Sequence, residues 1–430
     1  MKKFLLVSTL LVAHLGAQTL QESVAEVLST NPSIQERLKN YESVKQDINI
    51  AKSDYYPKLD LNLGAGYEQT NRSYGSDEKF SVYQNSLTYT HNIFRGFNTY
   101  YKVEEQELRT ISAAYSYIEK VNSISFEMTT AYIELLKNSE LLATEQKNVE
   151  INEEILTKVK KLYDSGLTTL SEVNKIESSV ALAKSNQVVQ ENSLLEASYN
   201  FQKVLGHEVN ATKLSKPAFT YNFPASKEEA LAFALQNNPS LQVGNFNVKQ
   251  AQALKKANQA NYYPSLDLEV SQNMNKNLSA TEGTEDQFRA MAYLKYNLFN
   301  GFSDSSNIIK ANTQMFQEVE TKNALQRDVT NNLNLSWVSK EKLEQQLVHL
   351  YNYKDFSEKT LKLYANEYDL GRRSLLDLLS AQNDFIRSQQ QIIVTEYNIL
   401  LAKYRILNAM GILVPVIIND EKLIYNNVNL

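Results

Sequence analysis

Two short stretches built around glycine hold the residues best placed for electrostatic chemistry: LYDSGLTTLSEV, residues 162–173, and EYDLGRRSLLDLL, residues 367–379. Around Gly166 and Gly371 they gather carboxylates, Tyr368 and Arg373. Glu172 and Arg373 carry opposite charges that can pair between coils, a contact worth about 0 to 1 kcal/mol if exposed. Copies of Asp377 brought to a common axis would repel one another and favour cations. The alternative is a set of ordinary solvated charges, and the residues alone leave both open. Covalent and metal chemistry have little to work with. There is no cysteine, so disulfides, thiolates and a lipid-bearing cysteine are excluded. His91, His207 and His349 show no His-x-x-x-His spacing, and neither a Gly-rich phosphate loop nor Gly-x-Ser-x-Gly occurs. No catalytic residue, metal site or cofactor is expected, and the chain does not read as an enzyme.

The glycines and prolines show what positions these stretches. Only 12 Gly and 7 Pro occur in 430 residues, so long uninterrupted elements are expected. No breaker interrupts Asn98 to Ser165 or Ser303 to Leu370, which read as helices of about 100 Å at 1.5 Å per residue. Shorter breaker-free runs follow, Leu167 to Leu205 and Arg372 to Met410, so Gly166 and Gly371 sit at the tips of helical hairpins. A single opening helix precedes each hairpin, roughly residues 21–55 and 226–262. Its length added to the return helix nearly equals the outbound helix, which predicts end-to-end stacking of the two short ones. Leu378, Phe385, Ile392, Ile399 and Ile406 recur every seven residues, beside Leu379, Ile386, Ile393, Leu400 and Leu407. Two adjacent heptad columns make a wide apolar face that packs in left-handed coiled-coil geometry.

The chain is written twice. Asn31-Pro32-Ser33 returns as Asn238-Pro239-Ser240, and Tyr55-Tyr56-Pro57 as Tyr262-Tyr263-Pro264. Asn92-Ile93-Phe94-Arg95-Gly96-Phe97 returns as Asn297-Leu298-Phe299-Asn300-Gly301-Phe302. Landmarks in one order at a nearly constant offset indicate an internal duplication. After Pro57, Leu59, Leu61 and Leu63 alternate with Asp60, Asn62 and Gly64; after Pro264, Leu266, Leu268 and Val270 alternate with Asp267 and Glu269. Partner strands are expected near Phe80–Phe94 and Phe288–Phe299. Such segments with aromatic flanks are the weak signature of a membrane barrel, and a soluble two-sheet sandwich alternates as well; a signal peptide at the N-terminus and the absence of other strands favour the barrel. Four strands cannot close one, since at least eight are needed, so a spanning sheet demands an oligomer.

Met1-Lys2-Lys3, an apolar run and small residues up to Ala17 read as a secretory signal peptide. Removing its lysines takes the net charge from -5 to about -7, which offers no basic face for nucleic acid. The organisation expected is a signal peptide at 1–17, a first repeat at 18–216 with strand pair 58–94, a second at 217–411 with strand pair 265–300, and a tail at 412–430.

Taken together and in order, the signal peptide, the doubled helix, Pro, strand pair, Phe-x-Gly-Phe and hairpin, and the Tyr-x-x-Gly tips resemble the TolC-type outer-membrane efflux protein family over the mature chain. The resemblance implies a mainly α fold with a small transmembrane β part. Duplicated hairpins would form a periplasmic α-barrel, and four strands per chain would join a homotrimeric 12-stranded outer-membrane β-barrel. It implies an exit duct in outer-membrane lipid, passing substrates from an inner-membrane pump (RND, ABC or MFS type) and a periplasmic adaptor, for efflux or type I secretion. Pro57 and Pro264 match the family's helix-to-strand joints, and Gly96 and Gly301 its strand-to-helix joints. At the tips, Glu172, Tyr368 and Arg373 match residues tying neighbouring coils together, and Asp377 an inner acidic ring. One turn on, where the family prototype has a second acid, this chain has Ser380, so the resemblance does not extend to a second ring. The alternative is a secreted or surface coiled-coil structural protein or adhesin without a pore.

Overall fold

In a computed structural model of the chain, residues 18–70, 73–74, 78–278, 282–420 and 427–428 are described; the signal peptide expected at 1–17 lies outside them. The first repeat runs α1 (Leu20–Thr30), α2 (Pro32–Lys52), β1 (Lys58–Thr70), β2 (Glu78–Arg95), α3 (Asn98–Asp164) and α4 (Leu170–Leu205). The second runs α5 (Lys227–Asn237), α6 (Pro239–Gln259), β3 (Ser265–Lys276), β4 (Thr284–Lys295), α7 (Ser303–Asp369) and α8 (Leu375–Met410), followed by α9 (Leu413–Ile418). The fold is mainly helical with one four-stranded antiparallel sheet. The duplication holds to the residue in the hairpins: α3 and α7 each have 67 residues, α4 and α8 each 36.

One expectation needs correction. The opening helix of each repeat is two helices, broken at Asn31 and Asn238, both extended at ψ near 125°. The residue before proline is forced out of the helical region, and proline then suits the first turn of the next helix. The break has a use. Asn31 Nδ2 donates to the Val204 carbonyl at 3.3 Å and Asn238 Nδ2 to the Ala409 carbonyl at 2.9 Å. The asparagine that ends α1 or α5 thereby satisfies a carbonyl left open at the end of α4 or α8. So the ends of α4 and α8 lie at the breaks where α2 and α6 begin. At the second junction a Cβ on Gly411 would lie 2.8 Å from Pro239 Cδ, so only glycine lets the two ends close up.

The chain forms two compact units. One comprises Tyr117–Pro239 and Gln326–Asn429 with the N-terminal residues up to Arg37; the other comprises Leu38–Ser116 and Ser240–Leu325. In the first, α8 buries most of both heptad columns, with Leu378, Leu379, Ile386, Ile392, Ile399, Ile406 and Leu407 in the core and Phe385, Ile393 and Leu400 half-buried. Its counterpart α4 buries Val173, Val180 and Phe201 of the matching column but leaves Val188, Val189 and Tyr199 more than 60% exposed.

In the second unit the strands are ordered β1-β2-β3-β4. Register sorts the side chains into two faces. One carries rows such as Leu59–Tyr89–Val270–Ala290 and Leu61–Leu87–Gln272–Phe288, the other Asp60–Thr88–Ser271–Arg289 and Asn62–Ser86–Asn273–Gln287. The apolar face is bare: Leu61 is 65% and Phe288 69% exposed. β4 runs from Thr284 to Lys295, earlier than the expected Phe288–Phe299. It is an edge strand whose partner β3 starts at Ser265, opposite Lys295, so nothing pairs with residues 296–299. β2 continues to Arg95 because β3 pairs with it to the end.

The joints use the marked residues. Tyr56 and Tyr263, before Pro57 and Pro264, are extended and turn helix into strand. Gly96-Phe97 and Gly301-Phe302 both lie at positive φ, between 54° and 68°. In each turn the two phenylalanines meet edge to face, Phe94 with Phe97 at 5.3 Å and Phe299 with Phe302 at 5.4 Å.

Candidate functional site at the hairpin tips

Both tips have the same backbone. Gly166 and Gly371 lie at φ 73° and 68°, and nothing stands within 4 Å of where a Cβ would go. In the first tip the amides of Gly166 and Leu167 donate to the carbonyls of Tyr163 and Leu162; in the second, those of Gly371 and Arg372 donate to Tyr368 and Glu367. This paired closure of a helix end requires a left-handed residue, which is why glycine sits at both positions. Beneath the tips Ile155, Val159, Val173, Ile176, Leu375, Leu378 and Leu379 form one buried cluster, with Tyr364 and Tyr368 packed on it. It joins the two hairpins and fixes the positions of the charged residues above.

Arg373 lies at the centre of the polar groups. Its Nη2 is 2.7 Å and its Nε 2.8 Å from Glu367 Oε2, Asp377 Oδ2 is 3.9 Å from Nη1, and the guanidinium covers the Tyr364 ring at 4.2 Å. The hydrogen bond to Glu367 raises the Arg373 pKa above its already high ordinary value. Asp377 also belongs to a helix cap. Its amide donates to Ser374 Oγ at 3.2 Å, and the Ser374 hydroxyl donates to its carboxylate at 2.8 Å. A carboxylate in the first turn of α8 suits the positive helix end. On the first tip the Thr168 hydroxyl donates to the Glu172 carboxylate. Lys158 joins the hairpins through Asp369 at 3.4 Å.

Among the described residues the buried hydroxyl of Tyr368 has no hydrogen-bond partner. Burial, then the negative charge of Glu172, push its pKa up, so it stays a neutral phenol. Tyr368, Glu172, Arg373, Gly371 and Thr168 border one groove of about 700 Å³. The expected residues therefore converge, with one difference. Among the described residues Arg373 is held by Glu367 and Asp377 of its own hairpin, and Glu172 by Thr168, so the two charges share a groove without pairing inside one chain. Glu367 and Tyr364 were not anticipated from the sequence; the signal was their fixed distance from Gly371, because the turn brings residue 367 back to 373. Leu167, Leu370 and Leu376 stand 76%, 69% and 61% exposed on the tips, an apolar rim to the charged groove.

The family model of outer membrane efflux proteins matches residues 24–207 and 231–412, one segment in each repeat. The chain belongs to the outer membrane efflux protein family. It is thus an outer-membrane protein of a channel family. The outer membrane protein TolC of Vibrio cholerae is 21% identical over 382 residues, 85% of this chain and 84% of TolC. Solved structures share the fold at lower identity. VceC of Vibrio cholerae, an outer membrane protein, has a TM-score of 0.79 at 16% identity over 91% of this efflux protein and 96% of VceC. The CmeC outer membrane channel of Campylobacter jejuni has a TM-score of 0.81 at 13% identity over 92% of this chain and 86% of CmeC.

Proposed function

We propose that this efflux protein is the outer-membrane exit duct of a tripartite efflux or type I secretion system. Its partners would be two further copies of itself, a periplasmic adaptor, and an inner-membrane pump of RND, ABC or MFS type. The observation that carries the reading is the sheet, with one apolar face, one polar face and two edges, β1 and β4, that have no partner among the described residues. Unpaired backbone groups cannot be left in lipid, so the edges must pair with further copies. Three copies give twelve strands, wide enough for a channel where eight would be filled by side chains.

The tips supply the gate in this reading. Glu172, Tyr368, Arg373 and Asp377 form the latch, Gly166 and Gly371 set its backbone, and the exposed leucines meet the adaptor. Because Glu367 holds Arg373 within the single chain, closing the latch would exchange that pair for contacts on a neighbouring coil, and an adaptor that loosened those contacts would restore it. The test is conductance in planar bilayers with the full-length protein. A pore of low resting conductance that rises in Arg373→Ser is expected. An unchanged resting current removes the latch, and a protein that forms no pore and is extracted by carbonate or urea is a coiled-coil stalk.

A further inference from the structure

The second compact unit contains one seam made within the chain and the two halves of another that stay bare. Gly96-Phe97 sits on the helix-to-strand joint of the second repeat. A Cβ on Gly96 would fall 2.4 Å from the Ala260 carbonyl oxygen and 2.8 Å from Tyr263 Cβ. Phe97 meets Tyr263 edge to face at 6.1 Å, and Asn98 Nδ2 donates to the Ala257 carbonyl at 3.0 Å. Further along the same helices, Tyr115 of α3 stacks on Phe246 of α6 at 5.6 Å.

The duplication gives every one of these residues a counterpart. On the turn side they are Gly301, Phe302, Ser303 and Glu320; on the joint side, Ser53, Tyr56, Ile50 and Lys39. Nothing lies within 4 Å of a Cβ on Gly301. Phe302 is 75%, Tyr56 69% and Ile50 66% exposed, whereas Ala257, the counterpart of Ile50, is 1% exposed. We infer that Gly301-Phe302 of one copy docks on Ser53–Tyr56 of a second copy, completing between chains the seam that each chain makes once within itself. This rests on the oligomeric reading above and adds which residues meet.

The two seams differ in chemistry. Where the internal one has the Tyr115–Phe246 stack, the intermolecular one brings Glu320 of one copy to Lys39 of the next. The internal seam forms with the fold and buries Ala257 and Ala260, although Phe97 and Tyr263 stay 55% and 53% exposed at its rim. The other half-seams face water in every unassembled chain, where an apolar patch invites aggregation and opposite charges stay solvated. Among the described residues Lys39 makes a local pair with Glu42 at 2.7 Å, both exposed, and Glu320 accepts from Asn323 at 3.3 Å. Each can turn to a new partner at little cost.

With no native cysteine, the full-length chain carrying Tyr56→Cys and Phe302→Cys together has two thiols and no others. A short bis-maleimide applied to outer-membrane preparations should give a ladder of covalent oligomers on denaturing gels, and neither single variant should. Lys39→Glu should lower the assembled fraction about two- to fivefold at low salt, and adding Glu320→Lys should restore it. Native gels of the unmodified protein report oligomerisation separately. An oligomer whose thiols stay unlinked overturns the docking and leaves the duct reading standing; a monomer overturns both. A charge swap that does not restore assembly overturns the Glu320–Lys39 pair.

Discussion

Both hairpins turn on a glycine at positive φ with the same two backbone hydrogen bonds, but they hold different side-chain devices. Thr169 heads α4 with no side-chain cap, while Ser374 heads α8 and closes on Asp377. At the first tip Thr168 donates to Glu172 and Ser165 to the Lys161 carbonyl; the second clamps Arg373 between Glu367, Asp377 and the Tyr364 ring. The same contrast appears at the strand-to-helix turns, where Gly96 is packed and Gly301 is open. Duplication has kept the backbone, because the turns depend on glycine, and has left the side chains free to specialise.

The contrast is broken most severely at the turns. Gly96→Ala should cost about 3 kcal/mol, because its methyl meets a carbonyl as well as an unfavourable φ, whereas Gly301→Ala should cost about 1 kcal/mol in the unassembled chain. Thermal unfolding of detergent-solubilised monomer, followed by circular dichroism, measures both. If the second seam forms between copies, the two costs should converge in the assembled protein. The tip caps come next: Ser374→Ala should lose about 1 kcal/mol and Thr169→Ala close to none, since only the serine oxygen accepts an amide. Equal losses would show that the caps do not distinguish the tips. Tyr368→Phe should be neutral or stabilising by up to about 1 kcal/mol, because it removes a buried hydroxyl with no partner. Tyr163→Phe, at the matching exposed position, should change nothing. A loss on Tyr368→Phe would mean that its hydroxyl has a partner in the assembled protein.

The smallest difference is pH-dependent and lies where α4 ends. His207 contacts Glu26 at 2.8 Å, and that hydrogen bond raises its pKa above the ordinary 6.5. A raised histidine pKa stabilises the folded state fully below the unfolded value, and the contribution is lost as pH rises through the folded value. Stability should therefore fall slightly as pH rises from about 6 to 8. His207→Gln should flatten that part of the profile, read as melting temperature against pH. The second repeat has Ile412 at this place and adds no such slope.

Much of this was legible because glycine and proline act locally. The unbroken runs gave the four hairpin helices to within a few residues, and Tyr-Tyr-Pro and Gly-Phe marked the joints. The breaks at Asn31-Pro32 and Asn238-Pro239 follow from the proline and are local; what no local pattern shows is each asparagine's hydrogen bond to a helix about 170 residues away. The end of β4 depended on β3 running out of partners, which no pattern within residues 284–299 encodes. At the tips the charged residues stood out, but not their pairing. Glu367 takes Arg373 because the glycine turn folds the helix end back on itself, a relation of geometry rather than of residue type.

The asparagine pins have a mechanical consequence. An unbroken helix such as α3 or α7 passes torque along its whole length through its own hydrogen bonds. At Asn31 and Asn238 that ladder of bonds is cut, and a side-chain amide bonded to the end of α4 or α8 stands where it would have run. The chain thus alternates solid shafts with split ones. The backbone ladder is therefore continuous through the 67 residues of α3 and of α7 and interrupted where α4 and α8 end.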